Sequence, residues 1–297
     1  MDFVIALPFA RCYFCGLNVD LELVRRALAE DIGTGDVTTL ATVPANATAQ
    51  ALMVAREPMV VCGLPVAEAV FKEVSAQIEI ERLAEDGQRA QRGQTLLRLR
   101  GPAGAMLTAE RVALNFVQRL SGVATLTARF AEAVAGTHAR ILDTRKTTPG
   151  LRALEKYAVT CGGGTNHRVG LFDRVLIKDN HLAALRLEPP NAIEAAVRRA
   201  REKYPKLEVE VEADTLEQVE QALLAKADFI LLDNMSNEDM RAAVWVVNGR
   251  AKTEASGGVT LAAVRAIAET GVDFISVGGL THSARAVDVA LDFETLQ

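Results

Sequence analysis

The sequence predicts an α/β protein in two parts, an α+β layer of about 100 residues followed by a run of βα units. Two observations predict it. Up to about residue 100 the elements run helix, strands, helix, strands, whereas beyond Ala139 short apolar runs alternate with amphipathic helices. That second rhythm, with buried parallel strands, means a doubly wound sheet or a βα barrel. No G-x-G-x-x-G opens its first unit, which weakens the dinucleotide-binding version.

Each element has its own signal. Leu21, Val24 and Leu28 fall at helical spacing in a helix over 19–29, which ends in the polar turn Glu30-Asp31-Ile32-Gly33-Thr34-Gly35-Asp36. Strand-like stretches follow at 50–56 and 59–62. A helix opens near Pro65, where proline suits the first turn, and carries Val66, Val70 and Val74 inward. Strands over 78–83 and 95–100 flank a glycine-bearing turn. A long helix over 107–134 is expected to break or bend at Ser121-Gly122. Then come apolar runs at 141–142, 175–177, 209–211, 229–232, 252–255 and 274–277. Helices between them are expected at 151–159, 192–203, 216–226, 237–247 and 261–269.

Composition bounds the function. The chain has 297 residues, 49% hydrophobic and 24% charged, with a net charge of −5. A mean hydropathy of +0.14 excludes disorder as the main state. A chain this long buries roughly 75% of its unfolded surface, so its core needs no disulfide or metal. No run of about 18 apolar residues offers a membrane span, and no basic excess offers a broad nucleic-acid surface. Cys12 and Cys15 form a lone CxxC with no second pair or histidines at ligand spacing. With Cys62 and Cys161 they read as free thiols of a reducing cytoplasm. The apolar leader over 3–10 follows Asp2 instead of a basic residue, which argues against secretion.

In a βα barrel the active site lies at the C-terminal ends of the strands. Asp143-Thr144-Arg145-Lys146-Thr147 ends the first strand and Lys178-Asp179-Asn180-His181 the second. Glu212, Asp233-Asn234, Ser256-Gly257-Gly258 and Gly278-Gly279 end the others. Charged residues first and glycines last read as one ligand pocket with two halves. From Arg145 to Lys178 seven basic residues stand against Glu155 and Asp173 alone. Arg152 and Lys156, four apart beside Glu155, fit a solvated helix face. Arg145, Lys146 and Lys178 follow strands directly and fit an anion pocket, arginine as a bidentate carboxylate clamp and lysine as a point charge.

Glu212 and Asp233 end adjacent strands, where they can hold Mg²⁺ through water or pair with the pocket lysines. The two late glycine elements each precede a helix and suit a phosphate. Cys161-Gly162-Gly163-Gly164-Thr165-Asn166-His167-Arg168 is a glycine loop that delivers a His-Arg pair. No second histidine stands at ligand spacing for a transition metal, and no protein nucleophile is evident.

These residues resemble a known family. The segments are Thr144-Arg145-Lys146-Thr147-Thr148-Pro149-Gly150-Leu151-Arg152, Glu155-Lys156-Tyr157-Ala158, Asn166-His167-Arg168 and Ile177-Lys178-Asp179-Asn180-His181. Together they look like quinolinate phosphoribosyltransferase, and the likeness runs from about Glu30 to Ser283. The leader, 1–17, matches nothing. The resemblance implies an N-terminal open α/β sandwich, 1–124 with the returning 281–297, and an incomplete βα barrel of about six or seven parallel strands over 125–280. It implies transfer of phosphoribose from 5-phosphoribosyl 1-pyrophosphate to quinolinate with loss of CO₂, a step of NAD biosynthesis. Quinolinate binding is carried over onto Arg145, Lys146, Thr147, His167, Arg168 and Lys178, with Arg111 reaching in from the partner of a head-to-tail homodimer. The phosphoribosyl pyrophosphate and Mg²⁺ roles fall on Glu212 and Asp233, and the 5′-phosphate on Ser256, Gly257, Gly258 and Gly278. Lys146, Lys178, Glu212 and Asp233 are the expected catalytic set.

The residues suit that chemistry on their own terms. A pyridine with two adjacent carboxylates and a phosphorylated sugar pyrophosphate both need a cationic pocket. The attacking atom is the pyridine nitrogen, so no protein nucleophile is required. Three other readings remain open at this point: a Schiff-base barrel lyase using Lys178, a sister transferase acting on nicotinate or another pyridine carboxylate, and a non-catalytic sensor on the same scaffold.

Overall fold

The computed structural model describes residues 17–186 and 188–294. They divide into two compact units. The first gathers the chain up to Ala128, Thr147–Gly163 and the chain from Leu280 onward; the second holds Arg129–Lys146 and Gly164–Gly279.

The first unit is built on an antiparallel sheet ordered β12-β1-β5-β3, from Val289–Glu294, Thr48–Ala55, Thr95–Pro102 and Glu79–Arg82. The last strand lies antiparallel to the first, with Ala55 opposite Val289 and Gln50 opposite Glu294. A two-strand ribbon of β2 (Met59–Val60) and β4 (Arg89–Ala90) stands beside it in the chain. Helix α1, Leu21–Ile32, starts where the Asp20 carboxylate accepts the Glu22 and Leu23 amides, and buries Val24 and Leu28. The polar turn after it leads into an unforeseen helix, α2 (Val37–Thr42). Asp36 caps it by accepting from Thr39 N at 3.0 Å, and a Thr108 hydroxyl holds the other oxygen at 3.0 Å. Helix α3, Leu64–Val74, has Pro65 in its first turn and buries Val66, Val70 and Phe71.

Helix α4, Ala103–Ala133, runs 31 residues through Ser121-Gly122 without a break. The expected break is absent because both residues serve packing. The Ser121 hydroxyl accepts from Cys62 N at 2.8 Å and donates to Cys62 O at 3.0 Å. A Cβ on Gly122 would stand 2.1 Å from Arg285 O, so only glycine admits that backbone.

Helix α5, Arg152–Cys161, clusters with this unit. Its Lys156 is fully buried, so the solvated-face reading is corrected at Lys156: the helix turns Leu154, Glu155, Lys156, Ala158 and Val159 inward, while Arg152 is half-buried. Buried Glu155 accepts from Arg119 at 2.6 Å and from the Thr148 amide and hydroxyl at 3.0 and 2.8 Å. Arg119 also donates to the carbonyls of Thr281 and Ala284, tying three chain segments together. Near the end of α5, Tyr157 donates to Asp86 at 3.0 Å, beside the free thiols Cys62 and Cys161. Cys12 and Cys15 lie outside the described residues.

The second unit is a six-stranded parallel sheet ordered β6-β11-β10-β9-β8-β7. In that order the strands are Arg140–Leu142, Phe274–Ser276, Lys252–Ser256, Phe229–Asp233, Val209–Ala213 and Val175–Ile177. The helices between them are α6 (Asp179–Ala184), α7 (Ala192–Lys203), α8 (Leu216–Leu224), α9 (Asn237–Val247) and α10 (Val264–Ala268), with α11 (Gly279–His282) after the last strand. Asn191, Thr215 and Ser236 cap α7, α8 and α9 with their side chains, which sets those starts. No helix of the described residues is long and apolar enough to cross a membrane.

Arg119→Met should strand the buried Glu155 carboxylate and lower unfolding free energy by about 3–5 kcal/mol, read from urea midpoints. An unchanged midpoint would remove this pair from the fold's supports.

Candidate active site

Side chains two apart on a strand share a face. On β8 this puts Glu210 and Glu212 on one face, and on β10 Glu254 and Ser256. Glu210 and Glu254 are fully buried, while Glu212 and Ser256 are half-buried nearer the strand ends.

The cationic half is assembled around the segment after the glycine loop. Thr165 pairs alongside β6, its amide donating to Ile141 O at 2.8 Å. Asp143, buried at the end of β6, then accepts from Asn166 Nδ2 at 2.6 Å and from His167 N at 2.9 Å. The His167 ring is buried. Its Nε2 lies 3.2 Å from Glu210 Oε2 and 3.5 Å from Glu254 Oε2, and its Nδ1 accepts the Arg168 amide at 2.7 Å. Burial opposes charge on this ring, but Glu254 and Glu210 outweigh it and raise its pKa. Arg168 is buried too, its Nη1 donating to Arg174 O at 3.1 Å. Burial and then the neighbouring Arg145 guanidinium lower its pKa. Two arginines that repel each other at a strand end make an anion-seeking surface. Lys146 is exposed beside them in the chain.

The acidic half lies across the same edge. Lys178, exposed at the end of β7, places Nζ 3.8 Å from Glu212 Oε2. Glu212 has a raised pKa, first from burial and further from Asp233, against the attraction of Lys178. Asp233 ends the adjacent strand β9, and its Oδ2 accepts from Asn234 at 2.8 Å. Glu212 thus pairs with a pocket lysine and also feels a second carboxylate. Hard carboxylate oxygens that crowd one another suit Mg²⁺.

The glycine elements are loops more than helix starts. Ser256-Gly257-Gly258 leads through turns into α10, which has five residues against the nine expected over 261–269, and Gly278 precedes the four-residue α11. Helix dipoles therefore add little, and any phosphate would meet backbone N–H groups of the loops. Gly257 has φ +97°, and a Cβ there would stand 2.1 Å from Asn234 Oδ1.

The second unit thus brings Arg145, Lys146, His167, Arg168, Lys178, Glu212, Asp233, Ser256, Gly257, Gly258 and Gly278 to one sheet edge. Thr147 and Arg111 belong to the first unit. Thr147 Oγ1 accepts from Arg152 at 3.0 Å, and Arg111 is exposed on α4. Arg174, one of the seven basic residues of that segment, pairs with Glu208 and Glu210 and lies 4.1 Å from the Phe229 ring centre. Sequence reasoning missed Glu210 and Glu254. The available signal was a carboxylate inside an apolar parallel strand, where a charge needs a partner.

Comparison with known proteins decides the family. The model of the quinolinate phosphoribosyl transferase N-terminal domain matches residues 36–121, and that of the C-terminal domain residues 123–292. The chain belongs to the quinolinate phosphoribosyltransferase family. It is 47% identical over 284 residues to the nicotinate-nucleotide pyrophosphorylase [carboxylating] of Mycobacterium leprae, covering 94% of this chain and 98% of that one. The chloroplastic Arabidopsis thaliana enzyme of the same name is 43% identical, covering 92% and 82%. The solved nicotinate-nucleotide pyrophosphorylase of Francisella tularensis superposes with TM-score 0.87 at 41% identity, over 93% of this chain and 98% of that one. The fold class is the expected α/β one, with an antiparallel sheet in one unit and a six-stranded parallel βα sheet in the other. Its edge strands β6 and β7 do not pair with each other among the described residues.

Gly257→Ala should cost about 1–3 kcal/mol, from positive φ and the clash with Asn234 together. Gly258→Ala, at φ +56° with no atom within 4 Å of its Cβ, should cost less. Denaturant midpoints of the two variants, compared directly, check the order.

Proposed function

We propose that this chain transfers the phosphoribosyl group of 5-phosphoribosyl 1-pyrophosphate to the nitrogen of quinolinate, releasing pyrophosphate and CO₂ and giving nicotinate mononucleotide for NAD biosynthesis. The observation that carries this reading is a cationic half beside a carboxylate half on one sheet edge, in a chain of this family. Arg145, Arg168, Lys146 and Lys178 bind and orient the two carboxylates of quinolinate, which brings the ring nitrogen to the sugar carbon. Bond breaking to pyrophosphate gives the sugar oxocarbenium character, and Glu212 and Asp233 stabilise that positive charge. Glu212 and Asp233 would hold Mg²⁺, which would supply positive charge to neutralise the leaving pyrophosphate. The loops at Ser256, Gly257, Gly258 and Gly278 hold the 5′-phosphate by backbone N–H groups. Once the ring nitrogen is alkylated, the electron pair of the bond to the 2-carboxylate is drawn toward the cationic ring, CO₂ departs, and a proton takes its place.

Lys178 is exposed and paired with Glu212, not enclosed in the apolar surroundings that imine-forming lysines use, which disfavours a Schiff-base lyase. The same reading makes the protein a cytoplasmic homodimer in which exposed Arg111 serves the partner's site.

The decisive assay is Mg²⁺-dependent CO₂ release from carboxyl-labelled quinolinate with phosphoribosyl pyrophosphate. Turnover of nicotinate instead, without CO₂, would reassign the substrate. Arg145→Ala and Arg168→Ala should each lower kcat/KM by about 2–4 kcal/mol, the scale for removing one partner of a buried charged pair. Near wild-type activity would exclude that arginine from the clamp. Mixing inactive Arg111→Ala and Lys146→Ala proteins under subunit exchange should restore about a quarter of wild-type activity, because half the dimers are mixed and half their sites intact. Proven exchange without recovery would confine Arg111 to its own subunit's site.

A further inference from the structure

Beneath the cationic half three titratable side chains share one buried space. Glu210 and Glu254 are both fully buried, on β8 and on β10, and the His167 ring lies between their carboxylates. Glu210 Oε1 and both oxygens of Glu254 have no hydrogen-bond partner among the described residues. Burying two acids with so few donors is costly, and well-packed apolar side chains would fill the space more cheaply. Core packing is therefore a poor reason for them.

Glu210 has a connection that Glu254 lacks. Its Oε2 pairs with His167 Nε2 at 3.2 Å and with Arg174 Nη1 at 3.4 Å. Both partners hold Arg168. The ring of His167 accepts the Arg168 amide at 2.7 Å, and the carbonyl of Arg174 accepts from the Arg168 guanidinium at 3.1 Å. One buried carboxylate thus fixes Arg168 by its backbone and by its side chain. Glu210 is also the first of two acids, with Asp173, that offset the repulsion Arg168 feels from Arg145 and Arg174.

The two acids sit in different electrostatic surroundings. Burial pushes Glu254 up to about 8, with Glu210 adding to the rise. Burial acts on Glu210 in the same sense, but His167 and Arg174 overcome it and hold Glu210 well below the usual carboxylate range. The groups facing this space are His167 from the segment beside β6, Arg174 before β7, Glu210 on β8, Glu254 on β10 and Ser276 on β11.

We propose that Glu210 is a positioning residue for dicarboxylate recognition: through His167 and Arg174 it holds the Arg168 guanidinium aimed and spaced from Arg145 before substrate arrives. The inference deepens the proposed function and rests on it. Preorganised cations meet their anion without first overcoming their own repulsion.

The test compares two isosteric changes in one cavity. Glu210→Gln keeps the shape and removes the charge, and should raise KM for quinolinate at least about tenfold. KM for phosphoribosyl pyrophosphate should stay within about twofold. Glu254→Gln, a change of the same size 3.5 Å from the same ring atom, should alter either KM by less than about threefold. If Glu210→Gln does not fold, Glu210→Asp carries the test, because it keeps the charge but shortens its reach to His167 and Arg174. The same selective rise in quinolinate KM is expected. Equal rises in both KM values, or equal effects of the two glutamine variants, would overturn the proposal and leave Glu210 a structural residue. A wild-type protein that does not turn over quinolinate would instead defeat the functional reading itself.

Discussion

Everything at the candidate site depends on six strands running the same way. A parallel sheet sends every strand's last residue to a single edge, and the pleat gives each strand one inward face. Side chains far apart in the chain, such as Arg145, Lys178, Glu212 and Asp233, become neighbours of one edge without any local sequence relation. The pleat also stacks them in depth. Glu210 sits beneath Glu212 and Glu254 beneath Ser256, so a buried layer of charge underlies an accessible one.

That second layer balances the first. Arg145 and Arg174 both repel Arg168, and burial strengthens the repulsion. Anions placed below them by the strands, Glu210 above all, keep the cluster together when no ligand is present. The first unit uses the same device differently. There Glu155 and Arg119 join α4, α5 and the segment after β11 through one buried charge pair.

Periodicity makes some of this legible and not the rest. Helices over 192–203 and 237–247 stand where the sequence puts them, because each has a side-chain cap and a clear apolar stripe. Strand ends are legible for the same reason: apolar runs are short and their terminators polar. Helix α2 escapes because its six residues have no buried face, only a cap at Asp36. Lys156 escapes because a lysine beside a glutamate on a helix reads as solvated unless one knows what packs against it. Ser121-Gly122 looks like a helix break, yet its small side chains admit Cys62 and Arg285 instead. Glu210 and Glu254 carry a signal, a charge inside an apolar strand, but their shared partner His167 comes from a segment more than forty residues before Glu210.

The pairing of β12 with β1 has a consequence for how the chain is made. β1 is the first of the described strands and β12 the last, so this edge of the antiparallel sheet stays open until β12 has been made. The parallel unit is drawn mainly from one stretch, Gly164–Gly279, with strands β7 to β11 emerging in succession. On a ribosome working N-terminus first, that unit can gather while β1 still waits for its neighbour. The earliest of the described strands is thus among the last to be satisfied, and through that interval its unpaired edge is open to pairing with another chain.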